Sequence, residues 1–282
     1  MSVFERAVVI GLGLVGGSVA RDLAAHGVEV LAYDSDPSAL AAAVREGVVQ
    51  QALTADLSGV RGVELIVVAV PVDAAAEVLH LVAPYAGAAR LITDVGSTKA
   101  SIVDAAIGAA LGDRFVGSHP MAGDHRSGWA ASRSGLFRGA CVYLCPAIPS
   151  STSATSLASG FWHDLGALPV VLSAARHDQT LAWTSHLPHM LSAALALALA
   201  RTGLTRDDLG PGGRDVTRLA GSSPDVWTPI ARENATAIET ALAAAEQEIA
   251  HIRGALMRRD EGDLRQRLVA AQAWFLASER NS

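Results

Sequence analysis

Through the first 172 residues, short apolar runs alternate with stretches whose apolar positions recur at helical spacing. The runs at residues 7–10, 28–33, 65–70, 91–93 and 115–117 predict strands, and those at 141–144 and 168–172 predict two more. Helices are predicted between them with identifiable stops. Residues 14–25 end before Gly27, suited to the left-handed position after a helix. Residues 37–45 start on Pro37 and end before Gly47. Strand and helix alternating at this spacing predicts a doubly wound, mostly parallel α/β sheet of the Rossmann type.

From Ala174 onward strand-like runs almost vanish. Residues 235–259 and 265–277 carry long amphipathic patterns, and the only loop-like interruption is Gly210-Pro-Gly-Gly-Arg214, whose glycines predict tight turns. A Ser/Thr-rich stretch at 150–159 resembles a linker, but the following Phe161, Trp162 and Leu165 favour a helix. The expected organisation is a Rossmann domain over 1–173 and an all-α domain over 174–282.

Half of the residues are hydrophobic and only 5% aromatic, so the core must be made mostly of Ala, Leu and Val, which suits parallel strands under close helices. The net charge of −6 gives no reason to expect nucleic acid or an anionic membrane as partner. The apolar run at 191–200 is far shorter than the roughly 20 residues a bilayer requires and reads as a buried helix. No basic start or cleavage site of a secretory leader is visible, and Cys141 and Cys145 would lie roughly 13 Å apart along one strand, too far to bridge. Two reduced thiols in a cytoplasmic protein are expected.

Three candidate sites follow at strand ends. Gly11-Leu12-Gly13-Leu14-Val15-Gly16 directly follows the first strand and opens a helix. The glycines allow a tight turn, backbone approach to a pyrophosphate and close helix–strand packing. Asp34 closes the second strand 23 residues after Gly11, where an acid binds the adenosine ribose and repels a 2′-phosphate, which favours NAD over NADP. Val70 and Pro71, at another strand end, are expected beside the nicotinamide. Asp94-Val-Gly-Ser97-Thr-Lys99 and Gly117-Ser-His119-Pro-Met-Ala-Gly123 follow later strands. An imidazole such as His119 can accept a hydroxyl proton near neutral pH as a hydride leaves.

These two motifs, with Ser185-His186-Leu-Pro-His189, Gly212-Gly-Arg214-Asp215-Val-Thr-Arg218, Pro224-Asp-Val-Trp227 and Asn234, resemble the prephenate/arogenate dehydrogenase family over roughly residues 6–255. The resemblance implies oxidation of a ring carbinol with loss of the ring carboxylate, giving 4-hydroxyphenylpyruvate, CO₂ and NADH from prephenate. It implies His119 as the catalytic base and Ser97 as its hydroxyl partner, orienting His119 or the substrate; Ser is also a good helix cap. Arg218 is the family's substrate arginine, able to grip a carboxylate in bidentate fashion, with Arg214 as a second candidate. His186 is taken as facing the substrate and His189 as equally suited to packing. A metal at that pair lacks further ligands. His125, where an acidic residue would suit the amino group of arogenate, favours prephenate, although Asp124 stands beside it.

Other readings are arogenate dehydrogenase, a β-hydroxyacid dehydrogenase, disfavoured because the second half has no lysine, and a non-catalytic NAD-binding protein, which would need none of His119, Ser97 and Arg218. A homodimer through the helical half is expected, by resemblance and because its apolar helices exceed what one layer can bury.

Overall fold

The computed structural model describes residues 3–123, 126–149 and 151–279. Eight strands form one sheet in the order β3-β2-β1-β4-β5-β6-β7-β8. They are β1 (Arg6–Ile10), β2 (Glu29–Tyr33), β3 (Gln51–Ala52), β4 (Leu65–Val68), β5 (Leu91–Asp94), β6 (Phe115–Pro120), β7 (Cys141–Pro146) and β8 (Leu168–Val171). Every neighbouring pair is parallel except β6 and β7, which run antiparallel, with His119 opposite Tyr143. Helices α1 (Leu14–Ala25), α2 (Pro37–Arg45), α3 (Ala75–Val82), α4 (Ala100–Gly108) and α5 (Thr152–Asp164) cover the sheet.

The sheet is apolar on both faces, and strand alternation divides the core in two. Ala7 and Val9 point into one cluster with Val19, Leu23, Phe161 and Trp162. Val8 and Ile10 point into the other with Leu79, Ile102 and Phe115. Local chemistry fixes the early helices. Asp36 caps α2 by accepting from Ser38 N at 2.8 Å, Pro37 occupies its first turn, and Gly27 and Gly47 adopt φ of 79° and 73° after the helix ends.

Ser173 accepts from Arg176 N and caps α6 (Ala174–Leu181). The chain continues through a π-turn (Ala182–His186) into α7 (Leu187–Ala200), then α8 (Pro211–Val216), α9 (Pro224–Glu233), α10 (Ala235–Arg258) and α11 (Glu261–Glu279). Pro188 cannot donate to the carbonyl four residues earlier, and the helix widens into a π-turn at that point. The glycine-rich segment at 210–214 differs from its expectation. It opens the short helix α8 with Pro211 in the first turn, and none of its glycines has positive φ.

The run at 191–200 is helical but not buried in the single chain. Leu195 and Leu197 are exposed, as are Ile249, Leu256, Trp274 and Phe275 on α10 and α11. Among the described residues no helix is long and apolar enough to cross a membrane.

Candidate active site

The carboxyl ends of β1, β4, β5 and β6 meet at one crevice. Gly11, at φ 98°, turns the chain out of β1, and a Cβ there would lie 2.3 Å from the carbonyl oxygen of Ala69. A Cβ on Gly16 would lie 2.0 Å from Gly11 O, so α1 can approach the strands only without side chains at both positions. Gly13 differs: no atom lies within 4 Å of its would-be Cβ, and it begins α1 with no side-chain cap. The first-turn amides of α1 take no side-chain cap, and with the positive end of the helix dipole they make a ready cradle for phosphate oxygens. Leu12 is buried, and its amide donates to Asp34 Oδ2 at 2.5 Å. Asp36 N donates to Asp34 Oδ1 at 2.7 Å, so the carboxylate is held at the end of β2 beside the glycine turn.

Val70 and Pro71 leave β4 against this turn, with Val70 N 3.3 Å from the would-be Cβ of Gly11. Val72 approaches the next turn, lying 3.1 Å from the would-be Cβ of Gly96. Gly123, beyond His119, reaches back to Leu14 at 3.5 Å by the same measure. The glycine turn, the Val70–Val72 corner, the Ser97 turn and the His119 strand thus border one groove.

A buried polar frame holds the Ser97 turn and His119. Lys99, the only lysine of the chain, is fully buried and paired with Asp94, itself 1% exposed. Asp94 also accepts from Gly96 N at 2.8 Å and Ser118 N at 3.2 Å, and Lys99 Nζ donates to Ser118 O at 3.0 Å. Burial pushes the Asp94 carboxyl up, and the Lys99 ammonium opposes that. Ser118 Oγ accepts from Trp162 Nε1 at 2.9 Å and shares a 2.7 Å hydrogen bond with Thr93.

His119 is 9% exposed. Its Nδ1 lies 2.9 Å from His177 Nε2, and His177 Nδ1 lies 2.7 Å from Asp178 Oδ1. Burial first, with the Lys99 ammonium adding to it, holds the His119 pKa well below 6.5. Asp178 also receives the amides of Lys99 at 2.8 Å and Ala100 at 2.9 Å, so it caps α4 from the helical half. That leaves Ser97 without the capping role: it is half-buried, and no hydrogen bond joins it to His119.

On the helical side, Arg218 is exposed and has no hydrogen-bond or ion-pair partner among the described residues. Arg214 instead donates to the carbonyls of Leu209 at 2.9 Å and Asp207 at 3.2 Å, which ties it to the preceding loop. His186 is the inward member of the His186/His189 pair. It is 1% exposed, with Nδ1 3.1 Å from Asn234 Nδ2, and the π-turn carries it inward. His189 is the more accessible of the pair, stacked on Trp227 at 3.5 Å between centroids, with its pKa lowered by burial and by the nearby Arg218. His125 lies outside the described residues. A cavity of about 610 Å³ between α6, the π-turn and α10 is lined by Asp178, Trp183 and Asn234, but by none of His119, Ser97, Arg218 or the glycine turn.

Two family models cover most of the chain: the prephenate dehydrogenase nucleotide-binding domain matches residues 19–171, and the prephenate dehydrogenase dimerization domain matches residues 173–270. The chain belongs to the prephenate dehydrogenase family. It is 34% identical over 234 residues to a prephenate dehydrogenase of Bacillus subtilis, covering 79% of this chain but 62% of that relative, so it spans under two thirds of that protein's length. A cyclohexadienyl dehydrogenase of Zymomonas mobilis is 32% identical over 92% of this chain and 91% of its own. The crystal structure of A. aeolicus prephenate dehydrogenase, in complex with hydroxyphenyl propionate and NAD⁺, superposes with a TM-score of 0.88 at 28% identity, covering 97% of this chain and 98% of that one.

Membership in this family gives the two histidine-bearing halves a common purpose, and the structure adds residues to it that sequence reasoning missed. In the sequence Lys99 is only one position of a motif, yet through Asp94 it anchors the Ser97 turn. His177 and Asp178 carry no recognisable motif. Their only signal in the sequence is a His-Asp pair one helical turn before Leu181 and Ala182, on the face that α6 buries.

Proposed function

We propose that the protein oxidises prephenate with NAD⁺, releasing CO₂ and forming 4-hydroxyphenylpyruvate and NADH. The observation that carries this reading is the position of His119: a neutral imidazole at the carboxyl end of β6, one ring nitrogen tethered and the other without a partner among the described residues, bordering the groove of the glycine turn. The uncapped amides of α1 at Gly13, Leu14 and Val15 would hold the pyrophosphate. Asp34 would hold the adenosine ribose, and Val70 and Pro71 would flank the nicotinamide. Bound NAD⁺ supplies the hydride acceptor.

His119 Nε2 takes the proton of the ring hydroxyl as its carbon becomes a carbonyl. Loss of the ring carboxylate then drives an electron pair through the ring onto that oxygen, and His119 returns the proton to give the phenol. Atoms and charge balance with no further reactant. Ser97, its hydroxyl free of capping duty, orients the substrate hydroxyl. Arg218, with His189 and Trp227 beside it, binds a substrate carboxylate. A carboxylate that must depart is poorly served by a bidentate grip, so the side-chain carboxylate is the better partner. Residues 1–173 serve as the nucleotide-binding domain and 174–282 as the substrate and dimerisation domain.

The exposed apolar side chains of α7, α10 and α11 support a homodimer. Two free cysteines suit a cytoplasmic enzyme.

The test is the rate of NADH formation with prephenate and, separately, with arogenate. Turnover of prephenate with weak or absent turnover of arogenate is expected. Preference for arogenate would reassign the substrate, and no turnover of either would end the enzymatic reading.

A further inference from the structure

We infer that His177 and Asp178 form a positioning dyad that fixes which nitrogen of His119 carries its proton, an inference that rests on the catalytic reading of His119. Asp178 is ionised, its pKa held low by the hydrogen bonds of His177, Ala100 and Lys99 against the cost of burial. A carboxylate only accepts, so His177 Nδ1 must be the donor across the 2.7 Å contact. With its one ring proton on Nδ1, His177 presents a bare Nε2, and that nitrogen accepts across the 2.9 Å contact to His119. His119 therefore carries its proton on Nδ1 and keeps the Nε2 lone pair for the reacting hydroxyl. Every donor and acceptor in this chain has one consistent role.

The alternative arrangement fails on chemistry. If His119 carried its proton on Nε2, its bare Nδ1 would face the bare Nε2 of His177, and the group pointing toward substrate would be a donor. A second ring proton on His177 would remove that clash, yet it leaves the His119 proton on Nε2, so the group facing the substrate is still a donor and not a base. The dyad is also held in place mechanically. Asp178 is fixed by the first amides of α4, and Tyr143, across from His119 on β7, packs edge-on against the His177 ring at 5.5 Å. Because Asp178 and His177 come from α6 and His119 from the sheet, the dyad makes the base competent only when the helical half is docked on α4.

The experiment is ring-nitrogen NMR on the full-length protein labelled at histidine, together with steady-state kinetics of Asp178→Asn, His177→Leu and His177→Gln. In the parent protein the His119 signal, identified by its loss in His119→Asn, is expected to show a protonated Nδ1 and a bare Nε2. Asp178→Asn is expected to mix the two tautomers and lower kcat on the order of 10²-fold, with KM nearly unchanged. His177→Leu should lose as much, and His177→Gln, which keeps an acceptor, should recover part of it. A proton on Nε2 of His119 in the parent protein would overturn the inference, whether or not the variants fold. So would parent-like kcat in Asp178→Asn, or equal losses in the Leu and Gln variants. The tautomer is read without turnover, so a protein that oxidises neither prephenate nor arogenate would defeat the catalytic reading while leaving the dyad separately measurable.

Discussion

Replacing Lys99 with methionine tests whether the buried Asp94–Lys99 pair is the frame of the site. Methionine nearly matches the volume of the lysine stem, so the change removes charge with little loss of packing. Asp94 would keep the amides of Gly96 at 2.8 Å and Ser118 at 3.2 Å, but no cation, while remaining 1% exposed. Ser118 O would lose its 3.0 Å donor as well. Orphaning one member of a buried pair costs about 3–5 kcal/mol. Against a typical total of roughly 5–15 kcal/mol this is a large fraction, and for a chain of this size it corresponds to a Tm lower by roughly 6–20 °C. Asp94→Asn in the Lys99→Met background removes the stranded charge, so the double variant should be more stable than Lys99→Met alone, by about 1–3 kcal/mol. Urea denaturation of the parent, both single variants and the double variant reads the whole cycle. A cost for Lys99→Met below about 1 kcal/mol, or a double variant as unstable as the sum of the singles, would refute the reasoning.

His119→Ala should lower kcat by about 10²-fold or more while leaving NAD⁺ affinity unchanged, as measured by titration calorimetry beside initial rates. Arg218→Ala should raise KM for prephenate by about 10-fold or more with a smaller effect on kcat, and an unchanged KM would remove Arg218 from the site. Since the His119 pKa lies well below 6.5, kcat/KM should stay level as pH falls through 6.5 and drop only below it; an acid limb centred at or above 6.5 would contradict the burial argument. His186 is pushed from 6.5 down to about 4, so the unfolded chain binds the extra proton in that window. Stability should therefore be full above 6.5 and fall by about 2–3 kcal/mol as pH drops toward 4, a loss that His186→Gln should reduce in denaturant titrations.

The parts of the fold that were legible in the sequence are those set by local chemistry. Helices α1 and α2 begin and end where the glycine turn, Asp36, Pro37, Gly27 and Gly47 dictate, because caps and left-handed turns need only their own neighbours. The glycine turn with Asp34 was readable for the same reason: backbone geometry imposes its residue types. What escaped was set by tertiary context. Strand β3 is two exposed residues long, with no pattern to read. The π-turn Ala182–His186, just ahead of Pro188, shifts the helical face by more than the pattern of apolar positions can register. Helix α7 reads as buried from composition, yet Leu195 and Leu197 are exposed, because composition does not say which neighbour covers a helix face. His177 and Asp178 gain their roles only when α6 docks on the amino end of α4, a contact between residues some 79 positions apart in the chain.

The most direct measurement is a crystal structure of the protein with NAD⁺ and 4-hydroxyphenylpyruvate bound, read for the separation between the phenolic oxygen and the ring of His119. That oxygen is expected at about 2.6–3.2 Å from Nε2, with Nδ1 still turned to His177. A phenolic oxygen beyond hydrogen-bond reach of Nε2, or a ring turned to offer Nδ1 instead, would contradict it.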